Sequence, residues 1–139
     1  MNYQLHEGQL AIPDKWKDET VNVFVAPDDT GLNLVVTRVD IPSGISAAEF
    51  YAQSMGQFAD QLPEFNKIAQ GELAIDKNIA PYIHYQWKSP EGQMHQLAAL
   101  FIPPAATQML VFTFTANAAI TEEQREYFLT IITGFRLNA

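Results

Sequence analysis

The chain contains no cysteine, which excludes a disulfide framework, a thiolate metal site and a cysteine nucleophile, and leaves the redox compartment unmarked. Cations are scarce: eight Lys and Arg stand against sixteen Asp and Glu, a net charge of −8. That balance repels a phosphate backbone and an anionic lipid surface, so nucleic acid is not an expected partner. Long apolar runs are missing too. The longest, residues 97–102, is strand-sized and far short of the roughly 20 residues a membrane-crossing helix needs, so no direct membrane insertion is expected. The first cation is Lys15 and no apolar stretch of leader length follows Met1, so neither a secretory nor a lipoprotein signal is expected. A cytoplasmic location follows from that reading.

What is present points to a folded chain. Hydrophobic residues make up 47% and charged residues 17% of 139 positions, too apolar for disorder and of the right length for one core, so residues 1–139 are read as a single domain. Apolar and polar residues alternate through 20–25 and again through 32–38, with Pro27-Asp28-Asp29-Thr30-Gly31 between them, the pattern of a β-hairpin with a longer loop. Ser46-Ala47-Ala48-Glu49 has capping-box spacing, and Tyr51, Met55, Phe58 and Leu62 follow at helical spacing until Pro63. Short β-like runs then cover 67–75, 80–87, 94–102 and 109–115, separated by turn clusters. Thr121-Glu122-Glu123-Gln124 is a second capping box, opening a helix with an apolar stripe of Tyr127, Phe128, Ile131, Ile132 and Phe135. The order predicts an α+β fold: a mostly antiparallel, twisted sheet with two helices.

Few residues suit chemistry. His6, His84 and His95 are the only strong candidates for a general base at neutral pH, and none stands in a metal-ligand spacing. His84 reads as a strand histidine, hydrogen-bonded or half exposed. Phosphate-binding glycine loops and a nucleophile elbow are absent from the sequence, and the carboxylate pairs Asp28-Asp29 and Glu122-Glu123 suit a turn and a helix start. Catalytic residues, a metal site and cofactors are therefore not expected. Trp16 and Trp87 are read as core anchors because tryptophan carries so much apolar area. Eleven glutamines and seven asparagines outnumber the eight cations, several of them on strands: Asn22, Asn33, Gln86, Gln93, Gln96 and Gln108. Neutral donors and acceptors set among valines and leucines suit either a solvated sheet face or a surface that holds an apolar peptide. Gln53, Ser54 and Gln57 form a polar stripe on the first helix.

The opening residues Leu5-His6-Glu7, then Ile12-Pro13-Asp14 with Trp16 and Asp18, then Asn22-Val23-Phe24, together resemble the Eag chaperones of type VI secretion, in the DcrB-related group. Gln61-Leu62-Pro63-Glu64-Phe65, Tyr85-Gln86-Trp87 and Phe101-Ile102 fit the same pattern in order. The resemblance implies a PsbP-like fold, a homodimer, and a non-catalytic chaperone that shields the N-terminal transmembrane segments of PAAR and Rhs effectors before export. It implies client contacts at Val21 and Val23, at Asn33 and Thr37, and at Leu62. A glutamine usual on the first helix aligns with Ser54, flanked by Gln53. Over 89–99 the spacing differs from the family by one residue, and the implied contacts fall on Leu97 and Ala99. If Val21 and Val23 face a client, Phe24 on the opposite side of the strand belongs to the core. The alternative reading is a small-ligand protein or enzyme with a pocket near His84, Tyr85 and Trp87. A periplasmic DcrB-like protein is a third reading, disfavoured by the missing signal.

Overall fold

The computed structural model describes residues 1–27 and 31–138. The Asp28-Asp29 pair and Thr30, read above as part of a loop, lie outside the described residues. A small hairpin of β1 (Asn2–Gln4) and β2 (Gln9–Ala11) comes first and forms its own two-stranded sheet. Three-residue strands leave too little alternation for the sequence to reveal them. The main sheet follows with β3 (Asn22–Val25), β4 (Asn33–Asp40), β5 (Asn66–Ile75), β6 (Asn78–Ser89), β7 (Gly92–Phe101) and β8 (Gln108–Ala116). Its order is β3-β4-β8-β7-β6-β5, with every neighbouring pair antiparallel.

Helix α1 (Ala47–Gln61) joins β4 to β5, and α2 (Glu122–Thr133) follows β8. Thr121 forms the complete capping box with Gln124. Ser46 forms only half of one: its Oγ accepts the Glu49 N–H at 3.1 Å, while the Glu49 carboxylate accepts from the Ser46 hydroxyl, also at 3.1 Å. The turn from β5 to β6 uses Asp76 and Lys77, both with positive φ, as a two-residue hairpin requires. Gly31 has φ +71, and a Cβ there would lie 2.1 Å from the Asn117 side chain, so a larger residue would be strained and would have to displace Asn117.

The helices pack on opposite faces of the sheet. Cross-strand register puts Leu34, Phe114, Leu97 and His84 in one row and Val36, Phe112, Ala99 and Tyr82 in the next, both on the α2 face. Phe128 and Ile132 of α2 cover this face, with Phe128 stacked on Phe114 at 4.3 Å between ring centroids. On the other face Phe50, Met55 and Phe58 of α1 pack on Leu100, Met109, Ile83, Tyr85 and Ala98. β7 is thus apolar on both sides, which explains the uninterrupted run at 97–102: alternate residues feed two cores.

Two aromatic expectations are corrected. Trp16 is 65% exposed and anchors no core, because it sits in the turn after β2, away from both helices. Phe24 is 59% exposed. It does lie on the face opposite Val23, but β3 is an edge strand and the groove between Phe24 and α2 is left open. Trp87 is half-buried and tied down by its Nε1–H, which donates to Gln96 Oε1 at 2.8 Å.

Candidate functional site

Helix α1 packs over β6, β7 and the Met109 end of β8, and leaves the β4-β3 side of the same face open. Its anchoring is firm: Tyr51 accepts the Ile102 N–H at 2.6 Å, and Phe58 and Phe65 flank Tyr85 at 5.0 and 5.6 Å between ring centroids. Burial pushes the Tyr51 and Tyr85 phenols above their ordinary pKa, so both stay neutral. Between the helix and the sheet runs a groove of about 330 Å³. Ser54, Gln57, Gln61 and Leu62 form its helix wall, and Val39, Val111, Leu100 and Gln96 lie on its sheet side.

Register extends this surface toward the edge of the sheet. Thr37 pairs with Val111, Val35 with Thr113 and Val23, and Asn33 with Thr115 and Val25, all on the groove face. The floor therefore alternates valine with threonine and asparagine. Gln96 locks part of it, because its Nε2–H donates to Thr115 Oγ1 at 3.1 Å while its Oε1 accepts from Trp87. At the rim, Lys17 and Gln108 donate to Asp40 at 2.7 and 2.9 Å and hold its carboxyl below the usual range, as a charged, exposed boundary. Such a surface offers apolar contact with neutral hydrogen-bonding groups at intervals.

The expected contacts divide. Val23, Asn33, Thr37, Ser54 and Leu62 fall on this one face, with Val21 at the same parity just before β3. Gln53 is exposed on α1 but does not line the groove; Gln57 and Gln61 do. Leu97 and Ala99 are corrected: both are fully buried on the α2 face, in the core with Phe128. Their neighbours Gln96, Ala98 and Leu100 point to the α1 face instead. Thr113, Thr115 and Val111 were not singled out by the sequence reading, since only pairing with β4 reveals that they share its face.

The same alternation overturns a shared pocket for His84, Tyr85 and Trp87. Successive strand residues point to opposite faces, so Tyr85 and Trp87 lie on the α1 side and His84 on the α2 side. His84 is 3% exposed, and among the described residues neither of its ring nitrogens has a hydrogen-bond partner. The half-exposed or hydrogen-bonded histidine expected from sequence is thus corrected. Burial holds its pKa below the ordinary 6.5, and Arg125 and His95 add to the effect. The unfolded chain takes up a proton here that the folded chain refuses, so stability falls as pH drops below about 6.5. Thermal melting should decline between about pH 7 and pH 5, and His84→Leu should flatten that slope. An unchanged slope would assign the acid sensitivity to other groups.

An antiparallel sheet with one helix on each face, and an open groove beside the first helix, defines the class as an α+β protein of PsbP-like architecture. The chain belongs to the DcrB family, which matches residues 7–134. It is 29% identical over 120 residues to the protein named Effector EagT6 of Pseudomonas aeruginosa, covering 84% of this chain and 82% of that one. The resemblance to Eag proteins drawn from the N-terminal pattern is met by this relative. Among solved structures, the crystal structure of the Pseudomonas aeruginosa protein of unknown function PA94 superposes with a TM-score of 0.79 at 21% identity, covering 100% of this chain and 97% of that one. The solution structure of cyanobacterial PsbP from Synechocystis sp. matches with a TM-score of 0.50 at 10% identity, over 96% of this chain and 89% of that one. Both structural matches speak to the fold alone. No helix among the described residues is long and apolar enough to cross a membrane.

Proposed function

We propose that this protein is a non-catalytic, cytoplasmic chaperone of type VI secretion that binds the N-terminal transmembrane segments of a PAAR- or Rhs-containing effector and keeps them soluble before export. The observation that carries the reading is the open face beside α1, where Val23, Val35, Val39 and Val111 alternate with Asn33, Thr37, Thr113 and Thr115. A transmembrane helix in water exposes about 20 apolar residues, and covering part of that surface at roughly 25 cal/mol per Å² is a strong driving force. The interspersed hydroxyl and amide groups meet the small polar side chains and helix-terminal backbone groups that such segments also carry. Similarity to an Eag protein supports an effector as the client. One copy offers a groove too short for several helices, so the functional unit is a homodimer with two such faces.

Co-expression tests the reading. An effector with an apolar N-terminal region should accumulate as soluble protein only when this chain is present, and the two should co-purify. Equal accumulation with and without it would end the chaperone reading.

A further inference from the structure

The α2 face of the sheet buries a basic cluster with no acid to balance it. His84 is almost fully buried, and among the described residues neither of its ring nitrogens has a hydrogen-bond partner; the same holds for Nδ1 of the half-buried His95. Arg125 is half-buried on the inner stripe of α2, the stripe that continues through Phe128 and Ile132. Among the described residues no ion pair or side-chain hydrogen bond engages its guanidinium. No carboxylate faces His84 from the described elements packed against it. β5 offers Ala69 and Gly71, β7 offers His95 and Leu97, and β6 itself places Tyr82 and Gln86 on this face. Lys67 and Glu72 of β5 pair with Tyr85 and Pro81, on the opposite face, and Glu122, Glu123 and Glu126 of α2 are exposed. The two ends of α2 are held differently. Beyond its C-terminus Phe135 packs edge-on against Phe101 and Phe112 at 5.6 and 5.9 Å between ring centroids, and the Leu137 N–H donates to Asp76 Oδ2 at 2.9 Å. Toward its N-terminal end the apolar contacts are Ile120 and Phe128, with Arg125 between them and within electrostatic reach of His84.

We infer that His84 and Arg125 form an acid-triggered latch: when His84 takes up a proton, the N-terminal half of α2 lifts from the sheet while its C-terminal end, the sheet and α1 stay in place. A buried imidazolium with no acceptor is costly in the closed state, by desolvation first and by repulsion from the Arg125 guanidinium and His95 second. Lifting this end of the helix admits water to the ring and carries Arg125 away. The open state therefore accepts a proton that the closed state resists, and acid favours opening. The α1 side has no matching response. Its phenols Tyr51 and Tyr85 are pushed up by burial and stay neutral through this range, and its apolar clusters share no residue with the cluster under α2.

Native-state hydrogen exchange of the full chain between about pH 7 and pH 5, corrected for the direct effect of pH on exchange chemistry, reads the opening residue by residue. For the amides of residues 125–129 the opening constant should rise by close to tenfold for each pH unit below about 6.5, the response to one proton taken up on opening. Over the same range the amides of α1, of β7 and of Leu137 should change by less than about threefold. His84→Leu and His84→Gln, two replacements of different shape that cannot take up the proton, should each remove the rise. Arg125→Met should end the rise at a higher pH, because His84 in the closed state then accepts a proton more readily. An Arg125→Met profile offset by one factor at every pH would remove Arg125 from the latch. A parallel rise at Leu137, α1 or β7 would make the acid response a general unfolding and overturn the latch, even though melting would still decline with pH. A flat profile at 125–129, or a rise that persists without His84, would overturn it as well.

Discussion

Val23→Asp and Ser54→Asp are each expected to weaken capture of an apolar effector segment by about 100-fold or more, roughly 2.7 kcal/mol. They stand on the two sides of the open face, Val23 on the sheet and Ser54 on the helix wall. Each would press an unpaired carboxylate against a surface with no charge to meet it. Neither position is buried, so melting temperatures should stay within a few degrees of the parent. Thr37→Ala should cost only a few-fold, because a neutral hydrogen bond to the client contributes about 0.5–1.5 kcal/mol. Co-purification of the effector with each variant, measured beside thermal melting, checks the set. Full retention by both aspartate variants would remove the groove from the reading. Loss with Val23→Asp alone would confine the client contact to the sheet side of the face.

The largest effect on stability is expected at Phe128. It is 2% exposed and stacked on Phe114, so Phe128→Ala opens a cavity and should cost about 3–5 kcal/mol. For a chain of this length that lowers the melting temperature by roughly 10–20 °C. Trp16→Ala should shift it by no more than about 2 °C, since the indole is mostly in water. Differential scanning fluorimetry or calorimetry compares the two directly. A larger loss at Trp16 would mean that the segment between β2 and β3 is packed more firmly than its exposure implies.

Much of the fold is legible in the residues. The Thr121 capping box, the run at 97–102 and the turn clusters at 76–78 and 89–92 are local signals, and each became the element it suggests. Burial was harder to read, because it depends on where a strand lies in the sheet. Phe24 and Leu34 are cross-strand partners with similar side-chain character, yet Phe24 stands at the edge while Leu34 packs into the core. Trp16 misled for a related reason: its size argues for burial only where another layer is at hand. At the site, parity along β3 and β4 brought Val23, Asn33 and Thr37 together. Along β7 a displacement of one residue exchanged Leu97 and Ala99 for Gln96 and Leu100, since an odd shift reverses the face.

β3 is one of the two edge strands of the main sheet, bonded to β4 on one side and with Val23, Phe24 and Val25 exposed. Stability is therefore graded across the sheet, and local opening should begin at this edge well before the centre yields. Backbone amides of β7, enclosed by β6 and β8 with a helix on each face, should be among the last to exchange with deuterated solvent. Those of β3 should exchange early in the free chain and slow sharply once its outer side is occupied. The protection time of this one strand then serves as an internal clock of occupancy, readable on the unlabelled protein without knowing what has bound.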